Sequence, residues 1–302
     1  MIDQLAEPWH YAFMQHALLA IVLVGITSGI IGTFVVLRGV GFMGDALAHA
    51  IFPGLAISFI TGGNIMVGAI IAAIIVSLLI GAISQHQRVN NDTAIGVLFV
   101  GAFALGIALM TSQASFQRDL TSFLFGSILG VTQSDLLTIA LVSAALLSVL
   151  YYFRREITTI SFDRTFAAAT GLHVWRYDQL FLVLLALTIV TGLQIVGNVL
   201  ILAMLITPAA TARLLTDRLW MMASLSALIG AIAGIIGLYV SWYQGIASGS
   251  AVVLAATAIF FLAYLFAPEN GIITPRVRHA LHHPNPEHDA PIDATSSEHS
   301  VG

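Results

Sequence analysis

Residues 219–268 run for 50 positions without one charged side chain. As a single helix this stretch would be about 75 Å long at 1.5 Å per residue, and no soluble core could cover its apolar surface. A hydrocarbon layer about 30 Å thick takes roughly 20 residues per helix, so the run reads as two membrane spans. Trp242-Tyr243-Gln244-Gly245 supplies the turn between them. The pattern repeats upstream. Residues 17–37 form an uncharged first span, and residues 46–85, whose one ionisable group is His49, divide at Thr61-Gly62-Gly63-Asn64 into two more. Residues 93–117 and 136–153 add two, with the apolar piece 120–131 between them too short to cross and therefore a candidate re-entrant segment. Residues 179–212 are 34 uncharged positions, too many for one upright helix, with Gly192 and Gly197 as places to fold back. The expected fold is an all-α, polytopic transmembrane helical bundle with a broken or re-entrant segment. It has nine spans, or eight if 179–212 stays whole.

Composition excludes several functions. The eleven basic residues are all arginine, against fifteen acids, and the net charge of -4 offers nucleic acid no basic field. Cysteine is absent, which removes disulfides, iron–sulfur clusters and thiolate metal sites, and leaves oxygen and nitrogen to hold any metal. With no lysine in the sequence, the P-loop motif Gly-x-x-x-x-Gly-Lys-Ser/Thr cannot occur, so ATP hydrolysis would need a separate subunit. Neither His-Glu-x-x-His nor Gly-x-Ser-x-Gly is found, which argues against an intramembrane zinc protease or a serine hydrolase.

Nine spans with the N-terminus outside put Arg38, Arg88, Arg154, Arg155, Arg164, Arg176, Arg213, Arg218, Arg276 and Arg278 on the cytoplasmic side, and only Arg118 outside. Trp9, Trp175, Trp220 and Trp242 all fall near span ends, as an interfacial belt requires. The N-terminus has neither a basic n-region nor a small-residue cleavage site, so it does not read as a removable signal peptide. The expected transmembrane domain is 1–268. Residues 269–302 turn to Pro, His, Asp and Ser and read as a disordered cytoplasmic tail. Its five histidines, His279, His282, His283, His288 and His299, offer metal-binding groups in no fixed geometry.

Intramembrane chemistry concentrates on Asp45, the one carboxylate well inside an apolar run, and His49 four residues on, which a helix sets on the same face. An unpaired charge in hydrocarbon costs at least ~2.5–3.5 kcal/mol on insertion scales, so such an aspartate calls for a partner. A divalent cation is one such partner, and carboxylate oxygen with imidazole nitrogen suits Mn²⁺, Zn²⁺ or Fe²⁺. The same Asp45, after Gly39, Gly41 and Gly44, also suits a plain helix N-cap. The glycines before the pair and Pro53-Gly54 after it describe an interrupted helix, which membranes tolerate where it lines a cavity or ion path. A carrier driven by an ion gradient is the alternative to a motor-driven permease. Such carriers often hold several ionisable groups in their spans, and one Asp–His pair fits the motor-driven reading better.

Gly44-Asp45-Ala46-Leu47-Ala48-His49-Ala50-Ile51-Phe52-Pro53-Gly54 resembles the signature of the permeases of manganese and zinc ABC importers, the ABC-3 family. Gly32-Thr33-Phe34-Val35-Val36-Leu37-Arg38-Gly39 resembles that family's first span and turn. Val196-Gly197-Asn198-Val199-Leu200, the stretch Ala203 to Ala212 and Ser248-Gly249-Ser250-Ala251-Val252-Val253-Leu254 are similar to its later segments. The resemblance implies a bacterial inner-membrane homodimer with cytoplasmic ATP-binding subunits and an extracytoplasmic metal-binding protein. It implies no permanently bound cofactor, since the divalent metal (manganese first, zinc or iron otherwise) is cargo. Asp45 and His49 match the positions that line the metal path, and two copies would offer four ligands.

The loop 154–178 is the one cytoplasmic loop large enough to carry an ordered element. Within residues 161–172 it holds a short helix candidate closed by Gly171, and Phe162 and Phe166 stand at i, i+4. This segment resembles the coupling helix that docks into the ATPase, with Phe162, Asp163, Arg164, Phe166 and Gly171 as its contact set. Arg164 departs from the family's usual acidic residue shortly after the Phe-Asp pair. An amphipathic helix on the membrane surface is the other reading of the segment.

Overall fold

Lipid offers no hydrogen bonds, so each apolar run must satisfy its own backbone, and a helix does so. The computed structural model describes residues 7–84, 91–111 and 128–267. Within these the chain forms α1 (Ala12–Leu37), α2 (Gly41–Ala50), α3 (Phe52–Ile60), α4 (Ile65–Ile83), α5 (Asn91–Thr111) and α6 (Gln133–Tyr152). Then come α7 (Arg154–Phe162), α8 (Arg164–Ala169), α9 (Val174–Val196), α10 (Asn198–Leu215), α11 (Leu219–Gln244) and α12 (Ser248–Phe266). Short 3₁₀ turns occupy Glu7–His10 and Ile128–Gly130, and no strand occurs among the described residues. Nine segments among the described residues are long and apolar enough to cross a membrane, with α2 and α3 together making the second, Gly41–Ile60.

The nine-span alternative is therefore the one the fold adopts. The 34-residue run divides at Gly197, whose φ of +82° and ψ of 165° separate α9 from α10 and would strain any side chain with a Cβ. Gly192 does not turn the chain. It makes room for Ile201, whose side chain would collide with an added Cβ. The final turn comes slightly later than expected, since α11 continues through Trp242 to Gln244 before the chain reverses at Gly245. α6 starts earlier than the apolar pattern suggests. Thr132 and Asp135 form a reciprocal capping box there, Asp135 accepting from the Thr132 backbone N–H at 3.0 Å. Of the re-entrant candidate 120–131, only its last residues are described, as the 3₁₀ turn. Residues 120–127, Arg88, Arg118 and the tail lie outside the described residues.

Small residues set the tightest contacts. α1 and α11 run antiparallel with Gly25 against Gly230 and Gly29 against Ser226, and a Cβ on Gly29 would sit 2.7 Å from the Ser226 carbonyl oxygen. Where backbones approach this closely, dispersion contacts and interhelical hydrogen bonds replace the hydrophobic drive that lipid cannot supply. Ser226 Oγ donates to the Gly29 carbonyl at 2.7 Å. α10 covers another face of α1, its Leu205 carbonyl pressed against Gly32.

The two ends of the bundle carry different chemistry. At one end Trp9 Nε1 donates to Tyr239 Oη at 2.7 Å, and Trp242 packs on Tyr11 with ring centroids 5.3 Å apart. At the other, Arg154 lies 4.1 Å from the Tyr151 ring and 5.9 Å from that of Trp220. Arg38, Arg164 and Trp175 line a common cleft at that same end. The arginine clustering and the aromatic belts thus coincide in space.

Candidate metal-path site

The site begins at the hairpin between α1 and α2. Leu37 ends α1 and Gly39, at φ +67°, reverses the chain, with the Gly39 N–H donating to Val36 O and the Val40 N–H to Val35 O, each at 3.1 Å. This pair of bonds satisfies the last carbonyls of α1 and lets α2 start at once at Gly41. Asp45 is therefore the fifth residue of a helix whose start uses no side-chain cap. The N-cap alternative for Asp45 is overturned.

Asp45 and His49 do share a face. His49 Nδ1 stands 3.4 Å from Asp45 Oδ1 and 3.0 Å from the Asp45 backbone oxygen. Both Asp45 atoms are acceptors, so Nδ1 is the ring nitrogen turned to Asp45 and Nε2 the one turned to α10. Nε2 meets Asn198 Nδ2 at 3.1 Å. The partner oxygen, Asn198 Oδ1, is buried and has no hydrogen-bond partner. A buried carbonyl oxygen left alone costs about 1–3 kcal/mol, and a divalent cation would use it.

Two helix interruptions bring these groups together. Pro53 lacks an N–H and its ring opposes the carbonyl four residues back, so the helix pauses at Ile51 just after His49. On the facing side the chain breaks at Gly197 just before Asn198. α2 and α10 pack antiparallel in steady register, Gly41 against Ile206, Gly44 against Leu202 and Leu205, then His49 against Asn198. Broken helices at membrane depth recur where transporters hold their ions.

An apolar wall fixes the imidazole. Phe52 stacks on it at 6.1 Å, and Phe99 and Phe103, one turn apart on α5, present edges at 5.5 and 5.3 Å. The open side belongs to Asp45, whose side chain is 38% exposed against 20% for His49. No group of three or more His, Cys, Asp or Glu side chains that could hold a metal occurs among the described residues. One chain thus offers one carboxylate, one imidazole and one amide oxygen. Spacing within the sequence exposed the first two and missed Asn198, although the one asparagine in a long uncharged run, set directly after a glycine, was a usable signal.

The 154–178 loop departs from expectation in two ways. Phe162 ends α7 and Phe166 lies in α8, with Asp163 extended between them, so the two rings are not one turn apart on a single helix. Asp163 caps α8, its Oδ1 accepting from Thr165 N at 2.8 Å and Phe166 N at 2.9 Å. Gly171 closes α8, its N–H donating to Ala168 O at 3.1 Å. Phe162 and Phe166 remain 63% and 58% exposed at the arginine end, beyond any span. Arg164, its side chain 63% exposed, donates from Nη2 to Asp178 Oδ2 at 2.6 Å.

Nine apolar membrane-length segments among the described residues, with an Asp–His pair beside one helix break and an asparagine at the break that faces it, define a polytopic membrane transport protein. The chain belongs to the ABC 3 transport family, whose model matches residues 10–267. It is 46% identical over 271 residues to the manganese transport system membrane protein MntC of Listeria monocytogenes, covering 90% of this chain and 96% of that one. It is 40% identical over 259 residues to the manganese import system permease protein ScaB of Streptococcus pneumoniae, covering 86% and 92%. A solved structure of PsaBC from Streptococcus pneumoniae in complex with Fab superposes with a TM-score of 0.81 at 39% identity, over 91% of this chain and all of that one.

Proposed function

We propose that this chain is the permease subunit of an ATP-driven importer that moves a divalent transition metal, Mn²⁺ first, into the cytoplasm. The observation that carries this reading is the Asp45–His49 pair packed against Asn198, whose own Oδ1 is buried without a partner, in a chain whose relatives are named for manganese transport. Two copies meet so that their open Asp45 sides share the ion, which corrects the shortage of ligands in one chain. Oxygen-rich coordination with two imidazoles favours Mn²⁺, while Zn²⁺ and Fe²⁺ remain competent ligand partners. Mixed, moderately strong ligands also let the ion leave, as a path requires.

The arginine end faces the cytoplasm, the N-terminus lies outside, and the exposed Phe162 and Phe166 dock a separate ATP-binding subunit. An extracytoplasmic protein delivers the ion to the other end. The test is radioactive Mn²⁺ uptake into vesicles holding the chain with and without its ATPase, with Zn²⁺ and Fe²⁺ as competitors. ATP-dependent uptake that excess Mn²⁺ suppresses best is expected. Uptake by the chain without any ATPase overturns the reading in favour of a gradient-driven carrier.

A further inference from the structure

The structure holds a second polar cluster that metal coordination does not use. Arg38, the C-cap residue directly after α1, has a side chain only 11% exposed. Its Nη1 donates to Asp178 Oδ1 at 2.9 Å and its Nε to Ser161 Oγ at 2.9 Å, while its guanidinium carbon lies 4.2 Å from the centre of the Phe181 ring. Burial pushes the Arg38 pKa down from its usual value, and the adjacent Asp178 carboxylate pulls it back up. The second oxygen of Asp178 accepts from Arg164 on α8. One carboxylate in the first turns of α9 therefore holds two arginines from different elements.

The positions of those elements give the cluster its meaning. Arg164 belongs to the short helix that carries Phe166. Arg38 belongs to the hairpin from which α2 presents Asp45 and His49, seven and eleven residues on. α9 itself ends at the Gly197 break that sets Asn198. Both sides of the metal site are thus tied to Asp178, one through Arg38 and one along a continuous helix. A relay also needs a second arrangement to move into. Beside the cluster opens a cleft of about 450 Å³ lined by Arg38, Ser161, Arg164, Asp178 and Gln179. Gln179 is buried to 6% exposure with neither amide atom hydrogen-bonded, an unused partner next to Asp178.

We infer that Asp178 is the positioning residue that couples movement of the ATPase-docking helix to the metal site, through Arg164 on one side and Arg38 on the other. This rests on the docking role proposed for α7 and α8. When α8 shifts, the Arg164 bond carries the shift to Asp178, and the α1–α2 hairpin and α9 follow together.

The experiment measures ATP hydrolysis and Mn²⁺ uptake by the complete complex in proteoliposomes for Asp178→Asn, Asp178→Glu and Arg164→Gln. Asp178→Asn should still co-purify with its ATPase and lower the ratio of uptake to hydrolysis by about tenfold, within the ~5–150-fold range typical of coupling between sites. Asp178→Glu should recover much of that ratio. Arg164→Gln leaves the buried Arg38–Asp178 pair intact, so it tests the relay even where Asp178→Asn fails to fold, and it should lower the ratio as well. A wild-type ratio in Arg164→Gln, or a parallel fall of uptake and hydrolysis in the variants, overturns the relay. The double substitution Phe162→Asp with Phe166→Asp tests docking separately: retention of the ATPase there defeats the docking role itself, whatever the ratios show.

Discussion

Asn198→Leu separates a metal ligand from a structural hydrogen bond. In the native chain the amide makes one useful bond, Nδ2 to His49 Nε2 at 3.1 Å, and carries one orphan, the buried Oδ1. Leucine removes both. Losing the bond leaves Nε2 unpaired among three phenylalanines, at a cost of about 1–3 kcal/mol, while deleting the orphan oxygen recovers a similar ~1–3 kcal/mol. The near-equal branched side chain leaves little void, so folding stability should change by less than about 1 kcal/mol, a midpoint shift of about 2–4 °C at most. Transport should respond far more, because losing a group that supports or joins a metal site typically costs about 10–100-fold in affinity or activity. The assay pairs thermal unfolding of the detergent-purified protein with Mn²⁺ uptake at limiting metal. An unfolding midpoint lowered by some 10 °C with uptake per folded molecule unchanged would refute the reasoning, since an energetic loss of that size makes Asn198 a structural strut.

Other outcomes follow from packing and from the extent of the family match. Gly29→Leu should disrupt the α1–α11 contact, because even a Cβ lies 2.7 Å from the Ser226 carbonyl oxygen, and overpacking costs about 1–3 kcal/mol or more. Its measure is loss of the monodisperse peak in size-exclusion chromatography, while Gly96→Leu, where nothing lies within 4 Å, should elute normally. Removal of residues 279–302, beyond the family match that ends at 267, should leave Mn²⁺ uptake within about twofold of the full chain. A severe loss there would assign the histidines of the tail a part in metal handling.

Much of the fold was legible because lipid makes local sequence decisive. A missing charge marks a span, and breaks at Thr61–Asn64 and Gly197 mark its end, since no partner outside the helix can replace a lost backbone bond. Asp45 and His49 were legible for the same local reason, sitting four residues apart on one helix. What escaped depends on distance in sequence. Asn198 meets His49 across 149 residues and Asp178 meets Arg38 across 140, and neither pair leaves a trace in spacing. The extended Asp163 escaped too: a capping aspartate divides what reads as one short helix, and it places Phe162 and Phe166 on separate elements.

The central claim is that Asp45 carries the cation between two copies of the chain. Its most direct measurement is ATP-driven Mn²⁺ uptake by the assembled complex with Asp45→Ala in both copies, beside a check of membrane insertion and ATPase binding. Uptake should fall to the background of empty vesicles while insertion and assembly stay normal. Wild-type uptake by that variant would remove Asp45 from the path and contradict the account.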